Sequence, residues 1–484
     1  MGGSKISCCV SLIFDVNIAS LMFVQSAVRL AWQAISAREK ADGAMPPCLQ
    51  IRFAWLELKG GTMSKVRLVI VVVMAEVVFA LGAHAAPPPA TFQQLAELTP
   101  SVRGANDWFG FSIAASGNTV VVGAFDANIE QFGTVYVYVK PANGWANMTQ
   151  IATLTSSDSG QGFGTSVAIS GNTVVVGAAD TSNFNHPAAA GPGAAYVFVM
   201  PAGGWHDMTE TAKLTASDGK NGDAFGDSVA ISGNTIAVGA FFATDSSGNS
   251  FAGKSYVFVR PGSGWVGDLN ETAKLTANDS ELLNYMGASV GISGGTVVVG
   301  AYGHNNFQGV AYVFVKPSNG WKNMTQTAEL SSSDGAGSDD FGFSAAIIGD
   351  TIVIGAPNAR NSKGSAYVFV EPSSGWTNMT QTSELIAGNG VQFQSFGQSV
   401  ATNGKVVVVG APSTTVGSNF GQGAAYVFAK PASGWRNRQS NLELIASDGA
   451  ANDGFGLSVA ISGTTVFAGA PKNTTPGAAY VFGQ

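Results

Sequence analysis

The chain has 484 residues, of which 62 are glycine and only 11 % are charged, well under the ~25 % of ordinary globular chains. The formal net charge is −7, and no basic cluster stands out along the sequence, which argues against nucleic acid and anionic membrane surfaces as partners. All three cysteines (Cys8, Cys9 and Cys48) precede Met63, so thiol chemistry and a disulfide scaffold are excluded for everything beyond it.

In chain order, residues 1–62 show no repeat and no periodic pattern, and they read as an over-extended gene start. Met63 opens a basic Met-Ser-Lys-Val-Arg start, an apolar stretch from Leu68 to Gly82, and Ala83-His84-Ala85. That order spells a secretory signal peptide over 63–85, cleaved after Ala85. The apolar run is shorter than the ~20 residues of a spanning helix and contains Glu76, so no stable membrane span is expected in the mature chain. Residues 86–91 form a short linker. From residue 86 onward there are 16 Lys plus Arg against 26 Asp plus Glu, a net charge near −10. The expected location is secreted, periplasmic or cell-surface.

From residue 92 one cassette recurs seven times. Each copy opens with Phe-Gly or a near variant: Phe109-Gly110, Phe163-Gly164, Phe225-Gly226, Met286-Gly287, Phe341-Gly342, Phe396-Gly397 and Phe455-Gly456. Thirteen residues after that glycine comes Gly-Ala, and a tyrosine follows in a Tyr-Val-Phe-Val-like run (Tyr136, Tyr196, Tyr256, Tyr312, Tyr367, Tyr426, Tyr480). Six copies place a tryptophan nine residues beyond the tyrosine, from Trp145 to Trp435. A period of 54 to 62 residues marks supersecondary units that stack on a shared core. Two β-branched runs joined by Gly-Asn, as at Gly171-Asn172, predict an A–B hairpin. The tyrosine run predicts strand C, ending at a Pro-x-x-Gly-Trp turn. Alternation in Thr211-Ala212-Lys213-Leu214-Thr215 predicts an outer strand D.

These units predict an all-β fold, a seven-bladed β-propeller of four-stranded antiparallel blades over residues 92–484. The seventh copy stops at Gln484 without a strand D, while Leu95-Ala96-Glu97-Leu98-Thr99 has the strand D pattern before the first copy. The N-terminal strand is therefore expected to complete the last blade and close the ring.

Phe-Gly at the start of a copy and Gly-Ala-Pro at 355–357, 410–412 and 469–471 resemble the FG-GAP repeat, the building block of integrin α-chain heads and of many secreted bacterial proteins. The resemblance covers residues 92–484 and implies an extracytoplasmic recognition or adhesion propeller. It departs in one respect. Integrin-like repeats often carry an Asp-x-Asp-x-Asp-Gly calcium loop in the A–B hairpin, whereas this chain has tight turns such as Ser232-Gly233-Asn234. A hard cation wants six or more oxygen ligands, several of them charged, so no metal ligands are assigned and no cofactor is evident; calcium stays open as a partner ion.

Specificity is expected where copies differ in length. The Gly-Ala-to-Tyr distance runs from 11 to 19 residues, which places the variation in the B–C loops. The candidate ligand-binding residues are Asp180, Asn183, Phe184 and His186 in loop two, Phe241, Phe242 and Asp245 in loop three, and Tyr302, His304 and Asn305 in loop four. Aspartates in the D–A links, such as Asp158, Asp218, Asp223 and Asp339, read either as a ring of carboxylates at the channel mouth or as turn-forming groups. The tryptophans read either as sugar-stacking platforms or as wedges between blades. No nucleophile–base pair, metal set or His-Glu-x-x-His pattern appears. The resulting expectation is a secreted, non-enzymatic recognition propeller that binds a protein or surface partner through its B–C and D–A loops. A lectin-like propeller and a polysaccharide-active enzyme are the alternatives.

Overall fold

The computed structural model describes residues 92–102, 107–125, 133–158, 162–179, 191–440, 442–472 and 477–484. It also describes a short antiparallel pair, Ile51–Arg52 with Met74–Ala75. The chain divides into two units, Met1–Ala90 and Thr91–Gln484. Apart from Met74–Ala75, the leader segment lies outside the described residues, as do its cleavage point after Ala85 and the loop-two candidates.

The second unit is an all-β, seven-bladed propeller. Strand A runs Phe109–Ser116, Phe163–Ser170, Phe225–Ser232, Met286–Ser293, Ser344–Ile348, Ser399–Thr402 and Ser458–Ser462 in blades one to seven. Strand B follows at Thr119–Ala124, Thr173–Ala178, Thr235–Ala240, Thr296–Ala301, Thr351–Ala356, Val406–Ala411 and Thr465–Ala470. Strand C is Thr134–Val139, Ala194–Val199, Lys254–Val259, Val310–Val315, Ser365–Val370, Ala424–Ala429 and Ala478–Gly483. Strand D is Ala152–Thr155, Ala212–Thr215, Ala273–Thr276, Ala328–Ser331, Ser383–Ala387 and Glu443–Leu444 in blades one to six. In blade seven the D position is held by Gln93–Thr99, paired antiparallel with Ala478–Gly483. Each strand A packs against the strand A of its neighbours, blade seven against blade one included, so the A strands are innermost.

The blades are not purely four-stranded. Six of the seven sheets carry a fifth, parallel strand contributed by the chain of the next blade. Met208–Thr209 lies on blade one, Gly267–Asn270 on blade two, Met324–Thr325 on three, Met379–Thr380 on four, Arg438–Ser440 on five and Met148–Thr149 on seven. The Asn-Met-Thr triplets at 147–149, 323–325 and 378–380 supply this strand and fasten it. Asn147 Oδ1 accepts the Glu97 N–H at 2.8 Å, and Asn323 and Asn378 do the same for Lys274 and Glu329. Three residues further on a Gln or Glu completes the clamp, as where Gln326 Oε1 accepts Asn278 N–H and Gln381 Oε1 accepts Ser333 N–H. On blade six, Gln94 Oε1 accepts the Ser447 N–H at 2.9 Å. An otherwise open sheet edge is thereby covered in blade after blade.

Strand B is apolar without interruption because both of its faces are core. Val120 and Val122 enter the cluster shared with blade seven, where they meet Phe467 and Val481. Val121 enters the cluster shared with blade two, beside Trp205 and Phe163. The tryptophans fill the same seams: Trp265 sits with Val175, Val197 and Leu214 of blade two, and Trp145 meets Phe467 edge-on at 5.6 Å.

The cassette itself is explained by one hydrogen bond. The serine two residues after each Phe-Gly donates Oγ–H to the carbonyl of the next blade's Phe-Gly glycine. The chain of bonds runs Ser112 to Gly164, Ser166 to Gly226, Ser228 to Gly287, Ser289 to Gly342, Ser344 to Gly397, Ser399 to Gly456 and Ser458 back to Gly110, all at 2.6–2.8 Å. The Gly of Gly-Ala lies beneath that bond. At Gly300 a Cβ would collide with both the Gly342 carbonyl and Ser289 Oγ. The Phe-Gly glycine is a bulge residue with φ between 87° and 99°, a conformation that favours glycine.

Candidate functional site

The B–C loops and D–A links lie at one end of the ring, called here the loop end; the A–B and C–D turns lie at the other, the turn end. At the loop end the residue just before each Phe-Gly is left-handed in all seven blades: Trp108, Gly162, Ala224, Tyr285, Asp340, Ser395 and Gly454, with φ from 49° to 74°. Two blades use glycine there. The other five hold side chains at a cost of roughly 1–2 kcal/mol each. Loops four and five add three consecutive left-handed residues apiece, Asn305-Asn306-Phe307 and Arg360-Asn361-Ser362.

Strain of this kind is kept only where surrounding structure enforces it, and it concentrates at functional sites. Here it positions an aromatic cluster across blades three to five. Phe241 and Phe242 lie with centroids 3.9 Å apart, and Phe242 meets Phe251 at 5.2 Å and Tyr285 at 5.9 Å. Tyr285 stacks on Tyr302 at 5.1 Å with a 14° interplanar angle. Phe307 and Phe343 pack on Tyr302 at 6.2 and 5.6 Å. Apart from buried Phe241, these rings are half-buried, so each keeps part of its surface exposed.

Two carboxyls accompany the rings. Burial pushes Asp227, the residue after the Phe-Gly of blade three, up to about 7, and its side chain takes no hydrogen bond among the described residues. Burial also raises Asp340, to about 6, against the Asn358 amide that donates to it at 2.5 Å. Tyr302 feels both: burial is the main cause of its raised hydroxyl, followed by Tyr285, Asp227 and Asp340. The arrangement offers aromatic faces beside carboxyls that exchange protons near neutrality.

The sequence candidates divide. Phe241, Phe242 and Tyr302 belong to the cluster. Asp245 instead closes its own loop, accepting the Ser247 and Asn249 N–H groups at 2.8 and 2.9 Å. Burial would raise its carboxyl, but those donors outweigh burial and hold it below the usual range. His304 Nδ1 lies 3.1 Å from Asn284 Oδ1 and 3.3 Å from Glu281 Oε1. Asn305 N–H donates to Glu281 Oε1, and its amide to Gln308. Both therefore brace loop four. Asp180, Asn183, Phe184 and His186 fall outside the described residues. Tyr285, Phe343, Asp227 and Asp340 join the site with no signal beyond adjacency to a Phe-Gly.

The D–A aspartates have structural partners. Asp158, Asp218, Asp279, Asp334 and Asp448 each accept the hydroxyl of a core tyrosine, at 2.7–3.2 Å. Asp223, Asp339 and Asp453 accept backbone N–H groups three residues upstream. Five of the six repeat tryptophans are buried, so those five rings are not sugar platforms; Trp145 is half-buried. Among the described residues no group of three or more His, Cys, Asp or Glu is placed to hold a metal ion, and no helix is long and apolar enough to cross a membrane.

A seven-bladed propeller with a Phe-Gly bulge, a bridging serine and a Gly-Ala under it defines a class of repeat protein. The FG-GAP repeat family model matches residues 92–138, 148–198, 208–258, 269–314, 324–369, 379–428 and 440–482, and the chain belongs to that family. No curated protein matches the chain.

Proposed function

We propose that this chain is a secreted, non-enzymatic recognition propeller that seats a protein partner on the loop end of blades three to five. The observation that carries the reading is Tyr285. It holds a strained left-handed backbone where blades two and seven use glycine, and its ring is the hub on which Phe241, Phe242, Phe251, Tyr302 and Phe307 converge. Half-exposed aromatic rings on a rigid scaffold are the anchors that dominate protein interfaces. The reading requires no metal. Burial of the tryptophans removes the main support for blade-repeated glycan sites. The proton-holding carboxyls Asp227 and Asp340 are the one feature that favours a polysaccharide-active enzyme, since a general acid needs a raised pKa.

The test is photo-crosslinking from Phe242 and Tyr302 at the loop end, with Lys322 at the turn end as control, in the protein's native extracellular fluid. One protein adduct from the loop end, lost in Tyr285→Gly, is expected. Adducts from Lys322 alone, or a glycan as the only species captured, would overturn the reading. Polysaccharide cleavage that disappears in Asp227→Asn would replace it with the enzyme.

A further inference from the structure

The fold assembles a basic patch that the sequence disperses. Lys405 stands in the A–B turn of blade six, Lys430 directly follows its strand C, and Arg436 and Arg438 lie on the segment that leads to blade five. The Lys430 N–H donates to the Lys405 carbonyl at 2.7 Å, and Arg438 Nη1 donates to the Ala429 carbonyl at 2.8 Å. Those two bonds draw Lys405, Lys430 and Arg438 around one strand end. Arg436 is two residues away. Lys405, Arg436 and Arg438 are exposed and Lys430 is half-exposed. None of the four takes part in an ion pair among the described residues. Glu384, beside the Leu385 that pairs with Arg438, is engaged by Ser365 Oγ at 2.7 Å and by Arg360.

The same two turn positions in blade five are Asp350 and Glu371, joined by the same backbone bond at 2.8 Å. Blade five thus reverses the charge of blade six at equivalent sites, while blades one, three and four carry one cation there (Lys140, Arg260 and Lys316, bonded to Asn118, Asn234 and Gly295) against the two of blade six. In a chain with a net charge of −7 this is a local exception.

We propose that the turn end of blade six binds an anionic glycan through its sulfate or phosphate groups. Arg438 is already oriented by its bond to Ala429, which leaves the rest of its planar fork for an oxyanion, and such forks match sulfate and phosphate geometry. The two lysines supply point charge on either side. A bilayer is the poorer occupant because no large apolar side chain of this blade is exposed beside the patch, and interfacial binding needs one to insert. Single-stranded nucleic acid is poorer too, because Trp435, the aromatic ring within the patch, is 6 % exposed and offers no stacking platform.

Heparin titrated onto the full protein tests this, beside a single-stranded oligonucleotide and phosphatidylserine vesicles. The K405Q/K430Q/R436Q/R438Q variant should bind heparin about tenfold more weakly at low salt, and the loss should shrink as salt rises. A control that removes turn-end charge elsewhere, K140Q/K316Q/K322Q, should keep wild-type affinity, with thermal melts of both variants confirming the fold. An equal loss in both variants, no heparin binding by the wild type, or tighter binding of oligonucleotide or vesicles through the same four residues would overturn the proposal.

Discussion

The loop end and the turn end are built from the same seven cassettes and solve different problems. At the turn end the A–B link is nearly uniform: one left-handed glycine, whose N–H is taken by a neighbouring blade's serine, as where Gly171, Gly233 and Gly294 bond to Ser116, Ser170 and Ser232. Charge differs there, as between Asp350 and Lys405, and blade six also departs in its bonding, the Gly404 N–H going to Thr402 Oγ1 of its own blade at 3.0 Å. At the loop end the length varies, and left-handed positions are filled by Trp, Tyr and Asp as well as Gly. Uniform glycine marks scaffold, while side chains retained against backbone strain mark a surface with a task.

The sharpest way to break that comparison is a pair of glycine substitutions in one blade. Gly300→Ala sets a Cβ against the Gly342 carbonyl and should cost about 4 kcal/mol or prevent folding. Gly294→Ala, with nothing within 4 Å and φ of 56°, should cost about 1 kcal/mol. Equal shifts in urea unfolding would remove the distinction. Trp265→Ala, in the seam common to both ends, should cost about 3–5 kcal/mol, and half-buried Trp145→Ala clearly less, by the same measurement.

A finer test uses pH. Below about pH 4 Asp227 is protonated whether the chain is folded or unfolded. Between there and about pH 7 the folded chain retains a proton that the unfolded chain has released, so stability falls as pH rises. Asp227→Asn should flatten that slope, and its melting temperature should gain on wild type above pH 7 but not below pH 4. A gain of the same size at both ends would show that the carboxyl is not held protonated. The smallest expected effect is at the strained position with the least side chain to lose. Ser395→Gly, φ 55°, should stabilise by about 1 kcal/mol without touching the aromatic cluster; a loss of stability would mean that the strain argument fails there.

Much of the fold is legible from residue spacing, because Phe-Gly, Gly-Ala and tyrosine recur at distances that only a repeated sheet satisfies. The fifth strand is not, since Met-Thr is too short to show alternation and its partner lies in another copy. Ser112 and its equivalents are equally silent, because a serine in a strand carries no signal until the neighbouring glycine carbonyl is in place. In the site, Phe241, Phe242 and Tyr302 stand out as aromatics in loops of unusual length. Tyr285 does not, because its meaning comes from a backbone angle. The blade-six patch is hidden for another reason: Lys405 and Lys430 are 25 positions apart and meet only through the hairpin.

The family repeat begins at the short strand before strand D of one blade and ends in strand C of the next, as in 148–198 and 208–258, and it carries the Gln or Glu half of the clamp on the preceding sheet, as with Gln326 and Gln381. The repeat delimited in the sequence is therefore out of phase with the blade seen in the fold. A tandem duplication of such a unit delivers the outer strand of one sheet, the three inner strands of the next and the lace between them. Blade number can then change by whole steps without a free sheet edge being exposed along the way.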